Sequence, residues 1–167
     1  MIILFWVCLF IIFYTFFGYG IFLYFIIKLK RVVKKPFQFS PYANLPTVSL
    51  LIAAFNEEDI IEEKIKNCLE LAYPKDKLQI IFITDGSSDK TAEIVAKNQY
   101  VELLHENIRA GKMAAIKRAI PFMKSEVIVF TDANTFLNTT AINELVKHYQ
   151  NPNVGAVAGE KRIMVAE

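Results

Sequence analysis

The first 27 residues contain no Asp, Glu, Lys or Arg, and 24 of them are apolar or aromatic. As an α-helix, the 26 residues from 2 to 27 would extend about 39 Å, which exceeds the roughly 30 Å of a membrane's hydrocarbon core. A secretory signal peptide would carry basic residues before its apolar core and small residues at its end. Here bulky side chains continue as far as Ile27. We therefore predict a retained transmembrane helix over residues 1–27.

Basic residues follow this segment directly, and no acid lies among them: Lys28, Lys30, Arg31, Lys34 and Lys35. Positive charge beside a membrane helix favours the cytoplasmic side. We therefore expect a single pass in this chain, with the remaining domain in the cytoplasm. Beyond residue 35 there are 14 Lys and Arg against 17 Asp and Glu. No basic stripe of the kind that binds nucleic acid is present, so no nucleic-acid partner is expected.

The remaining residues divide into a basic juxtamembrane segment and linker, 28–46, and a domain, 47–167. Apolar runs predict strands at 47–54, 78–84, 100–104, 126–131 and 154–158. Helical spacing or composition predicts helices at 57–71, 89–98, 111–120 and 139–149. Strands that are apolar almost throughout and alternate with helices indicate an α/β fold with a mainly parallel sheet flanked by helices.

Polar residues follow three of the predicted strands, namely 56–59, Asp85 and Asp132. In open parallel sheets, ligands bind beyond the carboxyl ends of the strands. Each polar group alone fits a helix cap or a turn. Acids gathered at one edge repel each other, however, and favour a cation or a ligand rich in hydrogen-bond donors. Arg109 and Lys112 lie at the start of a predicted helix near the same edge, and they suit a ligand that also carries phosphates.

Asp132 and Asn134 are the candidate metal ligands, because they offer two oxygens spaced by one residue at a strand end. Mg²⁺ or Mn²⁺ normally takes one or two protein carboxylates together with phosphates and waters. His105 and His148 are isolated in the sequence, so zinc is not expected.

Five blocks between residues 47 and 163 resemble, in order and spacing, the family-two glycosyltransferases, which are inverting enzymes of the GT-A fold. They are SLLIAAFNEEDII (49–61), IIFITDGSSDKTAEI (80–94), RAGKMAAIKRAI (109–120), VIVFTDANT (127–135) and VGAVAG (154–159). The resemblance implies a GT-A, Rossmann-like domain that binds a nucleotide-diphospho-sugar.

Residue roles carried over by this resemblance concern the nucleotide first. Ala53, Phe55 and Glu57 match the family's nucleotide-contacting first loop. Asp85 matches the acid that hydrogen-bonds the nucleotide base, and Lys112 matches a position near the nucleotide and its phosphates.

The resemblance also assigns the metal ligands. Asp132 and Asn134 stand where the family has its D-x-D metal motif, which implies Mg²⁺ or Mn²⁺, and Asp132 also belongs to the nucleotide-sugar site. Asn134 replaces the second Asp, so the motif has one negative charge fewer.

The implied reaction transfers a sugar, with inversion, to a glycan or lipid-linked acceptor. The family's general base lies much further along the chain, and here only Glu144, Glu160 and Glu167 follow the metal motif. We therefore expect the base beyond Glu167, and a chain that is the anchor and donor-binding half of a longer enzyme, with little activity alone. The alternative is a non-catalytic, anchored nucleotide-sugar-binding or interaction protein. A sugar nucleotidyltransferase and a signalling receiver module match the strand-end residues less well.

Overall fold

The structure is a computed structural model that describes residues 1–33, 37, 39 and 44–160. It forms two compact units, Met1–Gln38 and Phe39–Glu167. Within the predicted juxtamembrane segment and linker, residues 34–36, 38 and 40–43, including Lys34 and Lys35, lie outside the described residues, as do residues 161–167.

The first unit is helical. Helix α1 (Ile2–Phe13) continues through a π-helical turn (Tyr14–Gly18) into α2 (Tyr19–Val33). In the π-helical turn, the Thr15 hydroxyl donates a hydrogen bond of 2.8 Å to the Ile11 carbonyl. By length and composition, the 29 residues Ile2–Lys30 are long and apolar enough to cross a membrane, and none of their most apolar stretch is buried against protein. The predicted N-terminal helix is therefore present and could span a bilayer.

The second unit alternates strands and helices. In chain order these are β1 (Val48–Ala54), α3 (Ile61–Leu69), β2 (Leu78–Asp85), α4 (Thr91–Ala96), β3 (Glu102–Glu106), α5 (Lys112–Ala119), β4 (Val127–Asp132) and α6 (Ala141–Val146). Short 3-10 helices occur at Lys75–Lys77, Ile120–Phe122 and Lys147–Gln150. The four strands are parallel in the order β3-β2-β1-β4, which confirms the predicted α/β fold.

Apolar side chains cover both faces of the central strands. On one face, Leu50, Ile52 and Phe82 pack against residues of α3, α4 and α6. On the other face, Leu51 and Ile81 pack against residues of α5 and against Met123, which follows the 3-10 helix after α5. Because successive residues of a strand point to opposite faces, a strand buried on both faces has no polar alternation. This explains the continuous apolar runs in the sequence.

All four predicted helices of this unit begin later than expected, α4 at Thr91 rather than at residue 89 and α5 at Lys112 rather than at residue 111. α3 begins at Ile61 rather than at residue 57, because the Glu57 carbonyl accepts hydrogen bonds from both Ile60 and Ile61 in a turn before the helix. α6 begins at Ala141 rather than at residue 139. Helix α5 ends at Ala119, and Pro121 lies in the 3-10 helix that follows it.

The predicted fifth strand at 154–158 is wrong, because these residues have no regular secondary structure. Val154 donates its backbone N–H to the Asn151 carbonyl at 3.0 Å, which is a turn contact rather than a ladder contact. A strand is defined by its partner, and Gly155 and its small neighbours offer little side-chain area to pack on a sheet. The apolar run alone could not show whether residues 154–158 pair with another strand.

Truncating the core aromatic of β2 tests this packing. Phe82 is fully buried, so Phe82→Ala should lower the free energy of unfolding by about 3–5 kcal/mol, measured by urea titration followed by circular dichroism. Tyr100→Ala is the control, because Tyr100 is 69% exposed and its loss should cost under about 1 kcal/mol. Equal losses in the two variants would contradict the core assignment.

Candidate functional site

The carboxyl ends of β1, β2 and β4 lie level at one edge of the sheet. Ala53 pairs with Asp132 across β1 and β4, and Ala54 pairs with Thr84, the residue before Asp85. The Ala53 carbonyl also accepts a hydrogen bond from the Ala133 N–H at 3.1 Å. The register thus brings together the strand ends that the sequence marked as candidates.

Asp85 is almost buried, at 6% exposed, and its carboxylate binds the start of α5. It accepts hydrogen bonds from the backbone N–H groups of Ala110 at 2.8 Å and Gly111 at 2.6 Å. The Arg118 guanidinium lies 3.4 Å from its other oxygen and also donates to the Thr84 carbonyl at 3.0 Å. Burial alone would raise the pKa of Asp85, but these hydrogen bonds and the Arg118 charge together hold it below its ordinary value.

Gly86 makes this arrangement possible. Its φ is +71°, and a side chain there would place a Cβ 2.7 Å from the Arg109 backbone nitrogen. Its own N–H donates to the Glu106 carbonyl at 2.8 Å. Any other residue would be strained and would push the segment before α5 away from β2.

Lys112 and Asp132 form an ion pair at the mouth of the site. The Lys112 Nζ lies 2.5 Å from the Asp132 Oδ1, and both side chains are about half exposed. An exposed pair of this kind contributes only about 0–1 kcal/mol, so both groups can exchange partners at low cost. One can bind an anion while the other binds a cation.

A cavity of about 280 Å³ opens beside this pair. Its apolar lining includes Leu51, Ile116 and Phe130. The site therefore combines a charged rim with an apolar floor on the face of the sheet that α5 covers in part.

The first loop carries Phe55, whose ring lies 3.9 Å from the centre of the Arg109 guanidinium. Such stacking is a cation–π contact, and it forms a flat surface at the end of β1. The backbone N–H of Glu57 donates to the Thr91 hydroxyl at 2.8 Å. Phe55 thus lies against the segment that leads to Lys112, whereas Glu57 is attached to α4.

The loops after β1 and β2 are joined by reciprocal hydrogen bonds. Asn56, at φ +53°, accepts from the Ser88 N–H at 2.9 Å. Glu58 donates its N–H to Asp89 at 3.0 Å and accepts from the Lys90 N–H at 2.9 Å. Burial opposes the ionisation of Asp89, yet its hydrogen bonds lower its pKa overall. Several acids at this edge therefore have backbone partners and belong to the scaffold.

The metal ligands predicted from the sequence fit a cation that brings its own phosphate ligands. Asn134 is exposed, and its Oδ1 accepts from the Thr135 hydroxyl at 3.4 Å. Within residues 1–33, 37, 39 and 44–160, no group of three or more His, Cys, Asp or Glu could hold a metal. One carboxylate and one amide oxygen suit Mg²⁺ or Mn²⁺ bound mainly by diphosphate and water.

Lys64 was missed by the sequence analysis. It is fully buried on α3, and its Nζ donates a hydrogen bond to the Thr135 carbonyl. Burial lowers its pKa, while Cys68 and Asp132 oppose this effect. Burial likewise raises the pKa of the Cys68 thiol to about 11, against the influence of Lys64. The sequence did contain a signal for a buried lysine. Lys64 lies three residues after Ile61 and four before Cys68, and this spacing places it on the apolar face of the helix.

Comparison with known proteins identifies the family. The model of glycosyl transferase family 2 matches residues 49–163, a range that contains all five motif blocks. The chain therefore belongs to glycosyl transferase family 2.

Two curated relatives have named activities. The chain is 32% identical over 144 residues to the poly-beta-1,6-N-acetyl-D-glucosamine synthase of Staphylococcus epidermidis, covering 84% of this chain and 34% of that protein. It is 34% identical over 130 residues to the beta-monoglucosyldiacylglycerol synthase of Nostoc sp., covering 74% and 28% respectively. The chain thus spans about a third of the length of these relatives.

A solved structure supports the same fold. The mannosyltransferase PcManGT from Pyrobaculum calidifontis, in complex with GDP-Man and Mn²⁺, is 32% identical and has a TM-score of 0.73. The match covers 86% of this chain and 44% of that chain.

The lowered pKa of Asp85 predicts how the free energy of unfolding changes at acid pH. A carboxyl with a lowered folded pKa contributes stability above its unfolded pKa of about 3.9 and loses it as the pH falls through the folded value. Asp85→Asn should therefore be less stable than wild type by about 1.5–3 kcal/mol at pH 7, and the gap should narrow below about pH 4. Urea titrations across pH measure this.

Asp76→Asn is the matched control, because Asp76 is exposed in the 3-10 helix Lys75–Lys77 and its change should stay within about 0.5 kcal/mol. A stability gap for Asp85→Asn that is the same at pH 7 and pH 3 would contradict the role assigned to the Asp85 carboxylate.

Proposed function

We propose that this chain is the anchored, donor-binding part of a glycosyltransferase that transfers a sugar, with inversion, from a nucleotide-diphospho-sugar to a glycan or lipid-linked acceptor. The observation that carries the proposal is the Lys112–Asp132 pair, 2.5 Å apart beside the cavity at the strand ends. The relatives support it, because one makes a polysaccharide, one makes a glycolipid, and the mannosyltransferase structure contains GDP-Man.

Donor binding would use side chains that remain exposed at the edge of the sheet. The Lys112 ammonium would bind the diphosphate, with the N-terminus of α5 behind it. The stacked Phe55 and Arg109 would offer a flat surface to the nucleotide. Asp85 would act here mainly through the Ala110–Gly111 backbone that it holds in place.

Asp132 and Asn134 would hold Mg²⁺ or Mn²⁺, as expected from the donors at the end of β4. When bound, such an ion neutralises the negative charge that develops on the leaving diphosphate. Lys112 would supply a second, permanent positive charge at the same rim.

The acceptor side would involve further residues. Glu144 forms an ion pair with Lys147 on the surface of α6 and is poorly suited as the base that takes the acceptor proton. We propose that this base lies outside residues 1–167. The chain matches only 34% of the length of the poly-beta-1,6-N-acetyl-D-glucosamine synthase.

Donor titration tests the proposal. Lys112→Gln should weaken binding of UDP- or GDP-sugars in the presence of MnCl₂ by about 10–100-fold, because a charge-assisted hydrogen bond to phosphate contributes roughly 1.5–3 kcal/mol. Asp132→Ala should remove the dependence of binding on Mn²⁺. Isothermal titration calorimetry of the whole natural protein in detergent provides the measurement.

Lys117→Gln is the control, since Lys117 is exposed on the same helix, one turn and a half from Lys112. If the wild-type protein binds none of these donors, the proposed function fails. Donor binding without any transfer to an acceptor would instead favour the non-catalytic alternative.

We also propose that the α/β unit lies on the cytoplasmic side, because Lys28 and Lys30 follow the apolar part of the helix. A cysteine introduced at the exposed position Tyr100 in a Cys8→Ser background should react with a membrane-impermeant maleimide only after the cells are permeabilised. Cys68 is buried and gives little background. Labelling in intact cells would place the unit on the opposite side.

A further inference from the structure

Residues 132–137, which run from the last residue of β4 into the loop after it, are attached at their start to the sheet. Ala133 is buried and donates its N–H to the Ala53 carbonyl of β1 at 3.1 Å. The Thr135 N–H donates to the Asp132 carbonyl at 3.2 Å, which closes a tight turn. Asn134 lies exposed at the tip of this turn.

Helix α3 holds the other end of the same segment. The fully buried Lys64 donates to the Thr135 carbonyl, and its Nζ lies 6.0 Å from the centre of the Phe136 ring. One turn further along α3, the Asn67 side chain donates to the Leu137 carbonyl at 2.8 Å and accepts from the Leu137 N–H at 2.9 Å. Two side chains on one helix face thus fix three consecutive residues.

The chemistry of Lys64 is unusual for a purely structural residue. A buried ammonium is costly unless it is well hydrogen-bonded, and methionine would fill the same space without that cost. Within the described part of the chain, the Lys64 ammonium donates its hydrogen bond to the carbonyl of Thr135, the residue after Asn134. The amine is inaccessible to solvent, so it acts through the backbone that it binds and does not itself touch a ligand.

We propose that Lys64 and Asn67 are positioning residues, which fix residues 132–137 so that Asp132 and Asn134 face the same metal-bound diphosphate. This inference rests on the proposed function. It gives α3 a part in the geometry of donor binding that is exerted through the backbone of residues 132–137.

The test uses Lys64→Met and Asn67→Ala in the whole natural protein in detergent. Lys66→Met is the control, because Lys66 lies on the same helix with a side chain that is 76% exposed and pairs only weakly with Glu70 at 3.9 Å. The first measurement is amide hydrogen exchange without any ligand. Both variants should exchange residues 133–137 at least about tenfold faster while β2 stays protected, and the control should match wild type.

The second measurement is Mn²⁺ affinity in the presence of UDP or GDP, followed by electron paramagnetic resonance. Both variants should bind Mn²⁺ about 10–100-fold more weakly, which is the typical cost of losing residues that orient metal ligands. If Lys64→Met does not fold, Asn67→Ala still decides the question, because Asn67 is uncharged and only half buried.

Unchanged exchange at 133–137 in both variants would overturn the proposal. Faster exchange with unchanged Mn²⁺ affinity would also overturn it, because the segment would then be anchored for stability alone. Failure of the proposed function looks different: the wild-type protein itself would bind neither Mn²⁺ nor nucleotide, whatever the exchange of residues 133–137.

Discussion

At the end of β2, one nearly buried carboxylate connects this strand to both ends of the segment that contains α5. Asp85 binds the backbone before α5 and the Arg118 side chain further along that helix. Because α5 begins at Lys112, the position of the Lys112 amine follows from hydrogen bonds that Asp85 accepts. Gly86 allows this close approach of two segments. The position of the exposed Lys112 thus depends on the hydrogen bonds of the buried Asp85 carboxylate.

The other strand ends are organised in the same way. Asn56 and Glu58 bind the loop after β2, and α3 binds the segment after β4. Each loop is therefore held by a side chain from a different element, which orders it before any ligand arrives. Loops that are already ordered avoid part of the entropic cost of binding. Less of the binding free energy contributed by exposed groups such as Lys112 is then spent on ordering the loops.

Much of the fold was predictable, because a parallel sheet buried on both faces leaves long apolar runs such as that of β2. The convergence of Asp85 and Asp132 on one edge followed from the direction of parallel strands. What could not be predicted was which acids face a ligand, since Asp85 binds backbone amides while Asp132 binds Lys112. Such partners lie 20 or more residues apart. The strand expected at 154–158 failed for the same reason, because its pairing depends on a distant partner.

Strand β4 is an edge of the sheet as described, with β1 on one side. Phe130 lies on it with about half of its side chain exposed. Within residues 44–160 no further strand pairs with this edge, and such an edge is a template on which further strands, from the same chain or from another molecule, can add. The α/β unit on its own is therefore expected to self-associate through β4, beside the cavity that Phe130 lines.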